Sequence, residues 1–117
     1  MLFAHGARDP EWALPFLAIR DAVRRQRPEN PIVLAFLELM QPTLEAAVAE
    51  LVAEGASSIM VFPLFMAQGG HLKGDLPRLL EPLRAGYPNV PIALEAALGD
   101  VPEITNAIAS WVVQRSE

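Results

Sequence analysis

The chain alternates short apolar runs with stretches of helical periodicity, and that alternation leaves few folds open. The apolar runs are Met1–Ala4, Ile32–Leu39, Ile59–Leu64 and Val90–Leu94. Ile32–Leu39 is almost continuously apolar, with Glu38 its single charge. A strand covered on both faces of a parallel sheet reads this way. Between the runs, apolar residues recur at helical spacing: Trp12, Phe16, Ile19 and Val23, then Leu44, Val48, Leu51 and Val52. Leu76, Leu79, Leu80 and Leu83 form a third stripe, and Ile104, Ile108, Trp111 and Val112 a fourth. Strands alternating with helices imply a parallel sheet with helices on both faces. Right-handed crossovers narrow the topology, and the common order for a small sheet of this kind is 2-1-3-4. The expectation is an α/β, flavodoxin-like fold forming a single domain over residues 1–117.

Punctuation along the chain supports that division. Asp9-Pro10-Glu11 predicts a helix start with Asp9 as N-cap, and Arg24, Arg25 and Arg27 suit its last turn. Pro42 opens the second helix and Gly55 stops it. Asp75 reads as the N-cap of the third helix, with Pro77 in its first turn, and Pro82 predicts a kink or an early end. Asp100 with Glu103 resembles a capping box for the last helix. Trp12 and the phenylalanines are assigned to the core.

Composition removes several function classes. A net charge of −5 argues against nucleic acid as the main partner, which favours a basic face. The chain has no cysteine, so disulfides, thiolate metal sites and cysteine nucleophiles are excluded. No run approaches the roughly 18 apolar residues of a membrane span, and no signal-peptide apolar region precedes His5. The expected location is cytoplasmic.

The chemistry concentrates on the two histidines, His5 and His71. His5 follows the first strand. His71 follows the third, after the pair Gly69-Gly70 and just before the chain's only lysine, Lys73. In the order 2-1-3-4 the winding reverses between strands 1 and 3, and a crevice opens there at the carboxyl ends. Both imidazoles are therefore expected to face one cleft, with Glu38 one strand away. Neutral imidazole binds metal or accepts a proton. Two imidazoles and a carboxylate form an open shell for cobalt, iron, nickel or zinc. On these residues alone, hydrogen-bonded structural histidines and a solvated Glu38 remain open.

Other site chemistries fit less well. A histidine phosphatase wants Arg immediately before His-Gly, and here Ala4 precedes His5. No G-x-S-x-G elbow is present, and Ser57-Ser58 precede a strand rather than follow one. A receiver-type switch needs acidic residues where His5 stands. The non-enzymatic alternative is a metal-binding or flavodoxin-like carrier or regulatory module.

Three motifs in order bear a resemblance. They are His5-Gly6-Ala7-Arg8-Asp9-Pro10, Phe36-Leu37-Glu38-Leu39-Met40-Gln41-Pro42-Thr43, and Pro63-Leu64-Phe65 running through Gly69-Gly70-His71 to Asp75-Leu76-Pro77. Together they resemble the small CbiX-type sirohydrochlorin chelatases, a class II chelatase family, over essentially the whole chain. The departures are the short run before His5 and Ala7, where a serine is usual.

The resemblance implies a chelatase-like fold and insertion of a divalent metal into sirohydrochlorin, a tetrapyrrole with eight carboxylates. Cobalt is the first choice, with Fe²⁺ and Ni²⁺ as alternatives, in cobalamin or sirohaem biosynthesis and with no prosthetic group. It implies His5 and His71 as metal ligands, His5 also as proton acceptor, and Glu38 as a catalytic carboxylate. It implies Gln41, Met66, Ala67, Gln68, Gly69, Gly70 and His71 as substrate-binding positions, and a homodimer. Backbone N–H groups of Gly69-Gly70, with Arg8 and Lys73, are candidate holders of the substrate's carboxylates.

Overall fold

A computed structural model describes residues 1–67 and 75–116 in full and residues 70–74 as helix backbone. Four strands, β1 (Leu2–Ala4), β2 (Leu34–Phe36), β3 (Ile59–Pro63) and β4 (Ile92–Leu94), pair in parallel in the order β2-β1-β3-β4. The expected α/β topology is therefore observed. Four α-helices follow the strands: α1 (Leu14–Gln26), α2 (Leu44–Ala53), α3 (Gly70–Gly86) and α4 (Pro102–Arg115). Short 3₁₀ turns, Pro10–Ala13 and Leu98–Asp100, lead into α1 and α4.

Register assigns each strand residue to a face. Leu2 of β1 lies between Leu34 and Phe62, and Phe3 lies between Ala35 and Pro63. Phe3, Ala35, Ile59, Val61 and Ile92 point to the side that α2 and α3 cover, where Val48, Leu51, Leu76 and Leu80 close the main core. Leu2, Ala4, Leu34 and Phe36 point to the other side and pack against Phe16 and Leu17 of α1. On that side α4 does not complete the layer: neither α1 nor α4 holds a buried residue.

Several local expectations are corrected. Asp9 is a cap, its carboxylate accepting from the Glu11 N–H at 2.9 Å, but it caps the 3₁₀ turn rather than α1. Thr43, not Pro42, starts α2, with its hydroxyl accepting from the Ala46 N–H at 3.2 Å, and Gly55 ends that helix at φ 90°. Helix α3 begins at Gly70, so Asp75 lies inside it and is not its N-cap. Pro77 and Pro82 stand on its exposed side, where a carbonyl without a backbone donor can be hydrated, and the helix runs on to Gly86. Val101 caps α4 with no side-chain bond and Pro102 takes the first helical position, so the Asp100/Glu103 box does not form. Trp12 and Phe62 are 45% and 40% exposed and leave the core to Phe3, Phe36 and Phe65.

Strand β2 stops at Phe36, short of the expected Leu39. The Leu37 N–H still makes the last ladder bond, to the Ala4 carbonyl at 2.8 Å, and the chain then folds back so that the Phe36 N–H donates to the Pro42 carbonyl at 3.0 Å. Leu39 sits at φ 66°, bracketed by a 2.8 Å bond from the Met40 N–H to the Glu38 carbonyl. An i→i+2 bond around a positive φ is the rare left-handed γ-turn.

Candidate functional site

The carboxyl ends of β1 and β2 bring His5 and Glu38 together. His5 leaves β1 directly after the fully buried Ala4. Its Nδ1 lies 3.3 Å from Glu38 Oε1, and the two side chains are 44% and 43% exposed. An ionised carboxylate only accepts, so this hydrogen bond puts the imidazole proton on Nδ1. The lone pair of Nε2 is then left to take a proton or a metal. Exposed pairs of this kind contribute about 0–1 kcal/mol to stability, so the pair orients the ring more than it holds the fold.

Three further residues fix that geometry. Trp12 Nε1–H donates to the His5 carbonyl at 2.8 Å. The imidazole leans on Phe65 at 4.6 Å between ring centroids and 47° between planes. Phe65 is itself anchored edge-on against Phe3, centroids 5.9 Å apart. Gly6 faces the backbone of the γ-turn, and a Cβ there would run into the Glu38 carbonyl oxygen. The close approach of these two loops therefore requires glycine. Sequence reasoning missed all three. Trp12 reads as one more member of an apolar stripe, Phe65 as the end of an apolar run, and Gly6 as half of a dipeptide.

The remaining expected site residues are placed as follows. Gln41, Met66 and Ala67 are exposed at this same end of the sheet, Met66 by 61%. Gln68, Gly69 and the side chains of Gly70, His71 and Lys73 lie outside the described residues. Among the described residues no group of three His, Asp or Glu side chains could hold a metal, and Glu38, placed on the Nδ1 side of His5, stands on the opposite edge of the ring from Nε2. A hollow of about 740 Å³ lies at the amino ends of the strands, lined by Met1, Arg27, Asn30, Ser57, Ser58 and Met60 among others. It is remote from His5. Open α/β sheets bind ligands outside the carboxyl ends, where His5 and Glu38 stand.

The CbiX family model matches residues 1–115. The chain belongs to the CbiX family. A sirohydrochlorin cobaltochelatase of Saccharolobus islandicus (strain L.S.2.15 / Lassen #1) is 42% identical over 80 residues, covering 68% of this chain and 61% of that protein. The chain thus spans about three-fifths of the length of the curated relatives it matches. A crystal structure described as a CbiX protein of cobalamin (vitamin B12) biosynthesis from Marinobacter aquaeolei VT8 superposes with a TM-score of 0.78 at 31% identity, covering 97% of this chain and 89% of that one. The sirohydrochlorin chelatase SirB from Bacillus subtilis subspecies spizizenii, in complex with cobalt, gives a TM-score of 0.74 at 26% identity over 97% of this CbiX chain but only 49% of its own.

Proposed function

We propose that this CbiX-family chain, acting as a single chelatase-like domain, inserts a divalent metal into sirohydrochlorin, with cobalt first and Fe²⁺ or Ni²⁺ as alternatives. The observation that carries this is the His5–Glu38 pair, 3.3 Å apart at the carboxyl ends of neighbouring strands with Nε2 left unengaged by the pair. Cobaltochelatase and cobalt-bound SirB relatives supply the substrate class and the metal.

Insertion exchanges two pyrrole protons for one M²⁺. In this reading Nε2 of His5, once it has given up the ion, accepts one pyrrole proton while the other leaves to solvent, and Glu38 beside Nδ1 stabilises the imidazolium that results. His71, entering α3, is the second metal ligand. The two imidazoles hold the ion loosely enough to lose it to four ring nitrogens. Gln41 and residues 66–71 bind the macrocycle. The N-terminus of α3, with Arg8 and Lys73, holds its carboxylates. Metal and protons compete for the same imidazoles, so metal affinity falls with falling pH. The working form is a cytoplasmic homodimer. Support for pairing comes from SirB, in which a unit like this one accounts for about half of the chain.

The test is insertion of Co²⁺, Fe²⁺ and Ni²⁺ into sirohydrochlorin, followed by the macrocycle's absorption. His71→Ala should lower the rate by about a hundredfold or more while leaving the circular dichroism unchanged. Near-normal turnover removes His71 from the site. Glu38→Gln should slow insertion by about 10- to 100-fold with tetrapyrrole binding retained, and an unchanged rate returns Glu38 to a solvated charge. Metal binding without consumption of the tetrapyrrole would make the chain a carrier.

A further inference from the structure

Helix α4 and half of one sheet face are both apolar and both uncovered. Along β3 the exposure alternates, with Ile59, Val61 and Pro63 buried and Met60 and Phe62 45% and 40% exposed. Register places Phe62 beside Leu2, and Ala93 of β4 beside Met60, on the side that carries α1. There α1 buries the β1–β2 half, while Met60, Phe62 and Ala93 leave the β3–β4 half bare. In a doubly wound sheet the helix after β4 is the element that closes this half. Its stripe of Ile104, Ile108, Trp111 and Val112 has the spacing of one helix face. Yet Ile108, Trp111 and Val112 are 40%, 59% and 50% exposed.

The root of α4 holds it away from its own sheet. Ala97 is 1% exposed, and the Gly99 N–H donates to the Phe65 carbonyl at 3.0 Å. Gly99 also lies so close on the Met66 carbonyl that no Cβ fits there. Pro102 then sets the first helical residue. The helix consequently departs from a segment pinned to the loop after β3.

The exposed area is what a pair would recover. The chain exposes 7701 Å², whereas a compact monomer of 12.8 kDa exposes about 6,300 Å². The excess is about 1,400 Å² per chain, or at most about 2,800 Å² for two, and obligate dimers bury roughly 2,000 Å² or more. The radius of gyration of 15.3 Å likewise exceeds the roughly 13.4 Å of a compact chain of this length.

We propose that two copies of this chain exchange α4, each laying the Ile104–Ile108–Trp111–Val112 face over Met60 and Phe62 of its partner. The exchange is isologous, so both bare half-faces are closed by one symmetric step. It rests on the pairing proposed above and not on the chelatase chemistry.

The experiment uses sedimentation equilibrium of the full chain and a mixed cross-link. The wild-type chain is expected at two-chain mass in the micromolar range, and Trp111→Asp should raise the dimer dissociation constant by about thirtyfold or more with helical content retained. The chain has no cysteine, so Phe62→Cys and Ile108→Cys chains can be mixed and treated with a short bifunctional maleimide. A cross-linked mixed pair supports exchange. A one-chain mass at every concentration overturns pairing and exchange together. A two-chain mass with no mixed cross-link, or with the Phe62→Cys/Ile108→Cys double variant linked only within one chain, overturns exchange and leaves pairing standing. Insertion activity plays no part in these readouts, so failure of the chelatase reading is scored separately.

Discussion

The two faces of the sheet are built from similar residues and end differently. Under α2 and α3 the sheet is closed, and Phe3, Val48, Val61 and Leu80 are at most 1% exposed. On the opposite face α1 covers β1 and β2, while Met60 and Phe62 of β3 stay open. β3 serves both sides, and its alternation of buried and exposed residues shows the contrast within five positions. The difference teaches that apolar character alone does not assign a side chain to the core. A helix must also arrive, and its connection decides whether it does.

Three substitutions can break or sharpen that contrast. The largest effect is expected on the closed face, where Leu80→Ala should destabilise the fold by about 2–5 kcal/mol in urea titration. A loss below 1 kcal/mol would mean that this face is no better packed than the other. At the carboxyl edge, Gly6→Ala pushes a methyl group into the Glu38 carbonyl and displaces the loop that carries His5. Insertion should fall by about a hundredfold, as a misplacement of roughly 1 Å can cause, with the circular dichroism of the fold retained; an undiminished rate would show that the two loops need not touch. The smallest effect is expected on the bare half-face. In a Trp111→Asp background, which keeps the chain single, Met60→Ser should shift stability by no more than about 0.5 kcal/mol. A larger loss would mean that α4 covers Met60 within its own chain.

Much of the layout was legible from residue spacing. The four apolar runs became the four strands, and the order 2-1-3-4, expected as the common one for a small sheet, is the order observed. Ends were less legible. The continuous run Ile32–Leu39 gave no sign that the chain would turn after Leu37, with Phe36 bonded back to Pro42, and end β2 at Phe36. Asp75 carried a capping signal that the helix begun at Gly70 passed through. The stripes of α1 and α4 were read correctly as helical, but periodicity reports that a face is apolar and not whether anything covers it.

At the site, His5 and Glu38 were recognised by residue type and motif, while their contact spans 33 positions of chain. The parts that hold them, Trp12, Phe65 and Gly6, carry no signature of that task in their types.

By itself, the sequence determined which segments are strands and helices and which side chains carry chemistry, because those follow from local periodicity and the nature of each group. Only the tertiary structure decided that His5 meets Glu38, that Gly6 must lack a Cβ and that α4 stands clear of its own sheet. Those outcomes depend on how distant backbones approach one another, and no local pattern encodes that distance.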